Sequence, residues 1–438
     1  MTAGPDGSRL RIACAQLEAR DLRDAPVALA EALAAVAAAG RDGATLCILP
    51  EATYPAYVLG SAASAREMIA AGPDPLAAFA DAARQAQCAL VVGLVLEAAD
   101  ARGLENAAVL IDATGTVRSR TAKRFLWHFD REWFVPGVES PVHELESRES
   151  NGRTGVGMLV CADARLPEIG VDLARRGARI IANPTAWVTS MPPPDGTNSQ
   201  AEFLWRVRAL ENRVVGVAAT KVGTEADTVI YAGRSQIVAA DGEVIAIASA
   251  TTPELLVADV EVPARPGAEA AAGPARARVV TTTRPVLRPG FVQVAVLTHD
   301  DLLDQLAGHA VDLAVGPSGV LRTGDAAVAV FSDDEPVDPR AARAAALAGT
   351  EFLVWIARRV STGLVEEVAR TRALENRVFV LLWRPPETGG PCVIDPGGAV
   401  VARAAGPRFA VQAACLRAAA ATKLMAPGTD AWDAVAQL

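Results

Sequence analysis

The chain has 438 residues, which at about 150 residues per domain corresponds to two or three domains. Its hydrophobic fraction of 51% is enough for a large core, and a net charge of −9 with a pI near 5.2 argues against nucleic acid or an anionic membrane as a partner. No apolar run reaches the ~18 residues of a membrane span, and the first residues lack the basic start and apolar core of a signal peptide.

Cysteine and histidine usage narrows the chemistry further. The six cysteines form no CxxC pair, and the four histidines have no metal-ligand spacing. The chain also lacks a glycine-rich loop with a lysine that could hold phosphate. We therefore predict no metal, no cofactor and a reducing, cytoplasmic compartment.

Short apolar runs alternate with alanine-rich helical stretches through the first part of the chain. This pattern is typical of βαβ units with buried strands, whose functional groups gather beyond the carboxyl ends of the strands. The predicted strands are 9–17, 44–50, 88–97, 107–115 and 178–184, and the predicted helices are 26–40 and 164–178.

Three of the segments carry residues suited to catalysis. They are 47–57 (CILPEATYPAY) with Glu51, 120–137 (RTAKRFLWHFDREWFVPG) with Lys123 and Glu132, and 157–168 (GMLVCADARLPE) with Cys161. A thiol at the end of a buried strand, where the chain turns, is well placed to act as a nucleophile. Taken singly, these residues have simpler explanations: a core cysteine, a surface glutamate and a solvated lysine. Their order along three apolar runs favours one catalytic site.

The three segments resemble the nitrilase superfamily, the carbon–nitrogen hydrolases that use a Glu-Lys-Cys triad. ILPE, KRFLW and VCADARLPE are similar to the motifs around its glutamate, lysine and cysteine. The resemblance implies a four-layered α-β-β-α sandwich over residues 8–262. It continues in order through 104–117 (LENAAVLIDATGTV), 176–187 (RGARIIANPTAW), 208–220 (RALENRVVGVAAT) and 231–246 (YAGRSQIVAADGEVIA).

The resemblance also implies a role for each site residue. Cys161 would be the nucleophile and Glu51 the general base and acid, while Lys123 and the backbone N–H of Ala162 would stabilise the oxyanion. Glu132 is predicted to be the family's second glutamate, which positions the lysine or the substrate amine. The predicted pocket wall consists of Tyr54, His128, Trp133 and Trp187.

The residues after the nucleophile bear on the type of reaction. True nitrilases typically carry Trp-Glu there, whereas this chain has Ala162-Asp163, closer to the amidase and carbamoylase branches. We therefore expect hydrolysis of a small linear amide or N-carbamoyl compound through a cysteine thioester, with release of ammonia. A nitrilase, an acyltransferase that passes the thioester to an amine, and a binding scaffold derived from an enzyme are the alternatives.

A partial internal repeat follows a linker predicted at 263–290, where Pro, Gly, Ala and Arg dominate. Four segments of 291–438 echo the first part: 311–319 echoes 43–51, 328–336 echoes 157–165, 371–383 echoes 207–219, and 392–404 echoes 236–248. The alignment places Ser318 near Glu51 and Ser332 opposite Cys161. We predict a truncated nitrilase-like domain without the triad, acting as an intramolecular partner, with a homo-oligomer also possible.

Overall fold

The chain consists of two compact units, with the boundary between Ala270 and Ala271, inside the predicted linker. A computed structural model describes residues 8–146, 153–192, 195–264, 278–279, 291–306, 311–332, 338–359, 363–406, 410–416, 420, 424–426 and 429–430. Most of the predicted linker lies outside the described residues.

The first unit contains six α-helices and sixteen strands within its described residues. The helices are α1 (Ala25–Arg41), α2 (Ala62–Ala71), α3 (Pro75–Ala86), α4 (Asp130–Trp133), α5 (Pro167–Arg175) and α6 (Trp205–Asn212). The strands are β1 (Ser8–Glu18), β2 (Leu46–Ile48), β3 (Ala89–Glu97), β4 (Leu104–Ile111), β5 (Val117–Ala122), β6 (Val142–Glu146), β7 (Arg153–Met158), β8 (Ile180–Pro184), β9 (Val188–Thr189), β10 (Val215–Ala219), β11 (Lys221–Val222), β12 (Thr224–Glu225), β13 (Val229–Tyr231), β14 (Gln236–Val238), β15 (Val244–Ile247) and β16 (Glu254–Val262).

Two large sheets form the centre of this unit. The first has the order β11-β1-β2-β3-β4-β5, with β16 antiparallel to β1, and the second has the order β15-β14-β10-β8-β7-β6. A separate, smaller sheet consists of β12, β13 and β9, in that order. Because β1, β2 and β3 are parallel, as are β7, β8 and β10, their carboxyl ends meet at one edge of each sheet.

Three apolar layers hold the sheets and helices together. One core cluster joins the inner faces of the two sheets, and a second packs α1 and α3 on the outer face of the first sheet. On the second sheet, Trp205 of α6 lies against Gly216 of β10, and Leu173 of α5 lies against Gly157 of β7. The predicted α-β-β-α order is therefore confirmed.

The second unit is smaller and richer in strands. Its helices are α7 (Pro339–Leu347) and α8 (Val365–Asn376). Its strands are β17 (Arg278–Val279), β18 (Phe291–Leu297), β19 (Leu313–Gly316), β20 (Gly319–Thr323), β21 (Val328–Ser332), β22 (Phe352–Ile356), β23 (Phe379–Trp383), β24 (Cys392–Ile394), β25 (Val400–Arg403), β26 (Ala410–Leu416), β27 (Leu424–Ala426) and β28 (Thr429–Asp430).

The six-stranded sheet of the second unit, β17-β21-β22-β23-β24-β25, has the strand order of the second sheet of the first unit. In both, three parallel strands lead into two antiparallel ones, and the last pair carries a register shift. Helices α6 and α8 also end alike, on Arg213 and Arg377 with φ of 52° and 51°. These details agree with the predicted repeat.

The other sheet of the second unit, β20-β19-β18-β26, is cut short. Strand β26 pairs antiparallel with β18, as β16 does with β1. Between β18 and β19, however, the described residues contain only a 3-10 helix, Asp300–Leu306, where the first unit has the 17-residue helix α1. Strand β19 then turns directly into the antiparallel β20. These differences agree with a truncated copy of the fold.

Candidate active site

Glu51 lies just beyond the carboxyl end of β2, at the edge where the parallel strands of the first sheet finish. Its side chain is fully buried. One oxygen, Oε1, accepts hydrogen bonds from Asn106 Nδ2 (2.6 Å) and Lys123 Nζ (2.7 Å). The other, Oε2, is buried and makes no hydrogen bond to the described residues. That oxygen is therefore available to take a proton from a neighbouring group.

The backbone around Glu51 packs tightly on β3 at Gly93. A Cβ at position 93 would lie 2.3 Å from the carbonyl oxygen of Pro50 and 2.5 Å from the Cα of Glu51. The Gly93 N–H donates to Pro50 O, and Thr53 N–H donates to Gly93 O. Only glycine allows this close approach, which fixes the position of the carboxylate.

Lys123 follows β5 and is fully buried. Its ammonium contacts two carboxylates, Glu51 Oε1 at 2.7 Å and Asp130 Oδ2 at 2.6 Å. Burial alone would lower the pKa of Lys123, but the two carboxylates outweigh burial and hold it well above its ordinary value. Lys123 is therefore a fixed positive charge at neutral pH, which suits stabilisation of an oxyanion.

Cys161 lies in the turn after β7, opposite these charges. It has a positive φ of 49°, unusual for a residue with a Cβ. Burial, together with the charge of Glu51, raises the pKa of the Cys161 thiol to about 12, although Lys123 acts in the opposite direction. The resting thiol is protonated at neutral pH and donates to the carbonyl of Ala186, with Sγ 3.8 Å from the oxygen. Attack therefore requires a base.

The turn that carries Cys161 is held by buried polar side chains. Asn183 Oδ1 accepts from the Cys161 N–H at 2.7 Å, so this N–H is already used and the next one, that of Ala162, is the candidate oxyanion donor. Asp163 accepts from the backbone N–H groups of Val160, Phe125 and Arg124. Burial raises the pKa of Asp163 to about 6, although these three N–H groups act in the opposite direction.

The prediction for Glu132 needs a correction. Glu132 is exposed on the one-turn helix α4, whereas Asp130, two residues earlier, is fully buried. Besides Lys123, the Asp130 carboxylate accepts from Tyr57 OH at 2.8 Å and Trp127 N–H at 2.8 Å. In a single helical turn, residues two apart point in different directions, so only one of the two acids can face Lys123. The second carboxylate of this site is Asp130.

Tyr54 is also corrected as a pocket residue. Tyr54 is buried in the core between the first sheet and its helices. The tyrosine at the site is Tyr57, whose ring centroid lies 5.7 Å from Lys123 Nζ and whose hydroxyl donates to Asp130. Burial, with the charge of Asp130, raises the pKa of Tyr57 well above its ordinary value, so Tyr57 is a neutral donor.

The other predicted wall residues occupy different positions. Trp187 is fully buried directly after Ala186, and its Nε1 makes no hydrogen bond to the described residues. Trp133 is half-buried and packs on Phe129, with ring centroids 5.0 Å apart. His128 is exposed, with its ring 5.3 Å from that of Phe129. Trp187 and Trp133 thus lie around the site, whereas His128 is exposed to solvent.

Comparison with known proteins identifies the family. The sequence model of the carbon–nitrogen hydrolase family matches residues 11–265, over half of the chain. The chain belongs to this carbon–nitrogen hydrolase family. The matched residues contain Glu51, Lys123 and Cys161, and they correspond to the first unit.

Individual relatives of this carbon–nitrogen hydrolase include both nitrilases and amidases. It is 29% identical over 227 residues to a nitrilase of Pyrococcus abyssi, covering 51% of this chain and 79% of the relative. It is 29% identical over 236 residues to an (R)-stereoselective amidase of a Pseudomonas species, covering 54% and 80%. A solved amidase of a Nesterenkonia species is 30% identical, with a TM-score of 0.49, and covers 58% of this chain and 92% of that chain.

The described residues contain neither a cluster of metal ligands nor a membrane-spanning helix. Within the ranges given above, no group of three or more His, Cys, Asp or Glu side chains could hold a metal ion. None of the helices in those same ranges is long and apolar enough to cross a membrane. All six cysteines are buried and form no disulfide.

Proposed function

We propose that this carbon–nitrogen hydrolase cleaves the C–N bond of a small linear amide or N-carbamoyl compound through a thioester on Cys161, releasing ammonia. The observation that carries the proposal is the fully buried Glu51–Lys123 ion pair at the nucleophile turn. Burying such charges is costly unless they have a task or excellent partners, and here one carboxylate oxygen has none. The pair supplies a base and a cation to the same reacting carbon.

In the first half of the reaction, the thiol proton moves to Glu51 as the sulfur bonds to the carbonyl carbon. The carbonyl π electrons move to oxygen, where Lys123 Nζ and the Ala162 N–H stabilise the negative charge. The C–N bond then breaks, its electrons stay on nitrogen, and Glu51 returns the proton, so that ammonia leaves. The product of this half is an acyl thioester on Cys161.

In the second half, water attacks the thioester and transfers a proton to Glu51. The second tetrahedral intermediate uses the same two donors, Lys123 and Ala162. Breaking the C–S bond returns the electron pair to sulfur, and Glu51 gives the proton back to Cys161. An amide yields a carboxylic acid, whereas an N-carbamoyl compound yields a carbamic acid that loses carbon dioxide. Glu51 thus serves as base and acid in turn.

Asp130 completes the charge balance in this scheme. Lys123 bridges two carboxylates, so neither proton transfer through Glu51 needs to remove a proton from the lysine. The Tyr57 hydroxyl holds Asp130 from the other side. We assign Asp130 the positioning of Lys123, with Glu132 outside the chemistry.

The reacting end of the substrate must be compact. Glu51 and Lys123 are fully buried, and Cys161 is only 6% exposed. The neighbouring rings of Tyr57 and Phe129, with centroids 5.4 Å apart, leave an aromatic wall beside the charges. Both features favour a short acyl or carbamoyl group over a peptide bond within a chain.

The test is ammonia release from a panel of small amides, N-carbamoyl amino acids and nitriles, with Cys161→Ala as the blank. We expect release from an amide or N-carbamoyl compound that disappears in the variant. Activity on nitriles alone would replace the proposal with a nitrilase. Product transfer to an added amine, in place of hydrolysis, would replace it with an acyltransferase.

A further inference from the structure

A second buried ion pair lies close to the site and has no part in the scheme above. Lys221 of β11 and Glu225 of β12 pair at 3.3 Å, with side chains 4% and 0% exposed. The chain has only three lysines among its 42 Lys and Arg residues, and two of these, Lys123 and Lys221, are buried. In a chain that otherwise uses arginine, a compact buried ammonium at these two places points to a specific need.

Both members of this pair bond to the segment that carries the general base. Lys221 Nζ donates to the carbonyl of Ala52, the residue directly after Glu51, at 3.1 Å. Glu225 Oε1 accepts from the backbone N–H groups of Tyr57 (2.7 Å) and Val58 (2.6 Å). The pair therefore fixes the two ends of the stretch 52–58.

From this stretch, a chain of contacts leads to the charges that do the chemistry. Tyr57 OH donates to Asp130, Asp130 contacts Lys123, and Lys123 contacts Glu51. A displacement of the stretch at Tyr57 would thus move Asp130 and, through it, Lys123.

The remaining oxygen of Glu225 is held as well. Tyr231 OH donates to Glu225 Oε2 at 2.7 Å, and the Lys221 ammonium lies 5.6 Å from the centroid of the Tyr231 ring. Burial and Glu225 raise the pKa of Tyr231 well above its ordinary value, with smaller contributions from Tyr57 and Glu51. The two buried ion pairs therefore lie within electrostatic reach of each other.

We propose that the Lys221–Glu225 pair is a positioning element that sets the placement of Glu51 and Lys123 and the ionisation of Cys161. This inference rests on the proposed function, since it assigns the pair to the same site. Because the pair is neutral, it fixes the stretch 52–58 without adding net charge to the site that contains Glu51 and Lys123.

The test uses two variants that each remove one charge, Glu225→Gln and Lys221→Met. The readout is the rate at which iodoacetamide alkylates Cys161, followed by peptide mass spectrometry across pH, because only the thiolate reacts. This readout needs no substrate, so it remains informative even if the proposed function fails.

The two variants should move the alkylation rate in opposite directions. Glu225→Gln leaves the Lys221 ammonium uncompensated, which favours the thiolate, so the rate at a given pH should rise about threefold. Lys221→Met leaves the Glu225 carboxylate without its counter-ion, with hydrogen bonds from Tyr57, Val58 and Tyr231, and the rate should fall about threefold. Both variants should lower kcat about 10- to 100-fold, with a smaller change in KM, because the catalytic charges shift.

Two further variants separate positioning from folding. Tyr231→Phe removes only the hydroxyl group that donates to Glu225. This variant should fold even if Glu225→Gln does not, and its loss in kcat should be smaller. Asp112→Asn removes a charge paired with Arg118 at the far end of β4 and should leave the alkylation profile unchanged. Thermal melting of each variant checks the fold.

Alkylation profiles that are unchanged, or that shift in the same direction in both charge variants, would overturn the inference. A normal kcat in Tyr231→Phe and in a folded Glu225→Gln protein would also overturn it. A wild-type enzyme that releases no ammonia from any substrate, together with the opposite alkylation shifts, would contradict the proposed function alone.

Discussion

Each unit contains a six-stranded sheet with the same strand order, but the two units differ in the charges that lie buried beyond the strand ends. In the first unit, the buried charges Glu51, Lys123 and Asp130 gather beyond the strand ends. In the second, Ser318 lies near the position aligned with Glu51 and Ser332 lies at the position aligned with Cys161, and both are exposed. A buried Arg–Glu pair on a helix is present in both units, Arg208–Glu211 on α6 and Arg372–Glu375 on α8, and so does not distinguish them. The strand order therefore does not by itself make a site; buried charges at the strand ends do.

Removing the second carboxylate of the site, that of Asp130, tests this comparison most strongly. Asp130→Asn should lower kcat about 100- to 1000-fold, because Lys123 loses one of its two counter-ions and shifts toward Glu51. The matched control is Glu132→Gln on the same helical turn, which should stay within about twofold of the wild type. Steady-state ammonia release from both variants measures the two losses in kcat. A larger loss in Glu132→Gln than in Asp130→Asn would show that Glu132 is the second carboxylate of the site.

Gly93 tests whether the backbone near Glu51 must approach β3 closely. Gly93→Ala would place a Cβ against Pro50 O and Glu51 Cα, so the carboxylate must move away from Lys123. We expect a loss in kcat of about 10- to 100-fold with the fold retained, measured by ammonia release and circular dichroism. Full activity in the variant would mean that the position of Glu51 is not tightly constrained.

Asp163 tests the nucleophile turn through stability. Asp163→Asn should cost about 2 kcal/mol near pH 4, because the amide nitrogen, unlike the second oxygen of a protonated carboxyl group, cannot accept from a backbone N–H group. The folded pKa of about 6 lies above 3.8, the ordinary pKa of an aspartate side chain, so the contribution of Asp163 is full below about pH 4 and falls as the pH rises through about 6.

The stability difference between wild type and Asp163→Asn should accordingly be larger near pH 4 than near pH 7. Urea unfolding at the two pH values measures it. A difference that grows with pH would show that the ionised carboxylate is the preferred form in the folded protein.

The smallest effect is expected in the second unit. Ser332→Ala should leave ammonia release within about twofold of the wild type, because Ser332 is exposed and aligned with the nucleophile only by the repeat. The residues that follow it in the repeat, 333–337, lie outside the described residues. A loss of tenfold or more would give the second unit a part in catalysis.

Sequence reasoning predicts the layers and the three principal site residues because each leaves a local signal. Glu51, Lys123 and Cys161 lie next to apolar runs, and parallel buried strands bring such run ends together. The repeat is equally visible, since RALENRV occurs twice. The intramolecular partner, the oligomeric state and the cytoplasmic location stay predictions.

The errors arise where a choice between neighbours depends on tertiary packing. In the run DREW, nothing local tells which of Asp130 and Glu132 points inward, and Tyr54 and Tyr57 present the same problem in one loop. The Lys221–Glu225 pair leaves a signal only in retrospect: a rare lysine and a glutamate on short strands, which packing buries together.

The central claim, a thioester on Cys161, is tested most directly by mass spectrometry of enzyme quenched in acid during turnover of an active amide. We predict an added mass equal to the substrate less ammonia, on the peptide that contains Cys161, and neither the adduct nor ammonia release in Cys161→Ala. Undiminished ammonia release by that variant, or an adduct on another residue, would contradict the account.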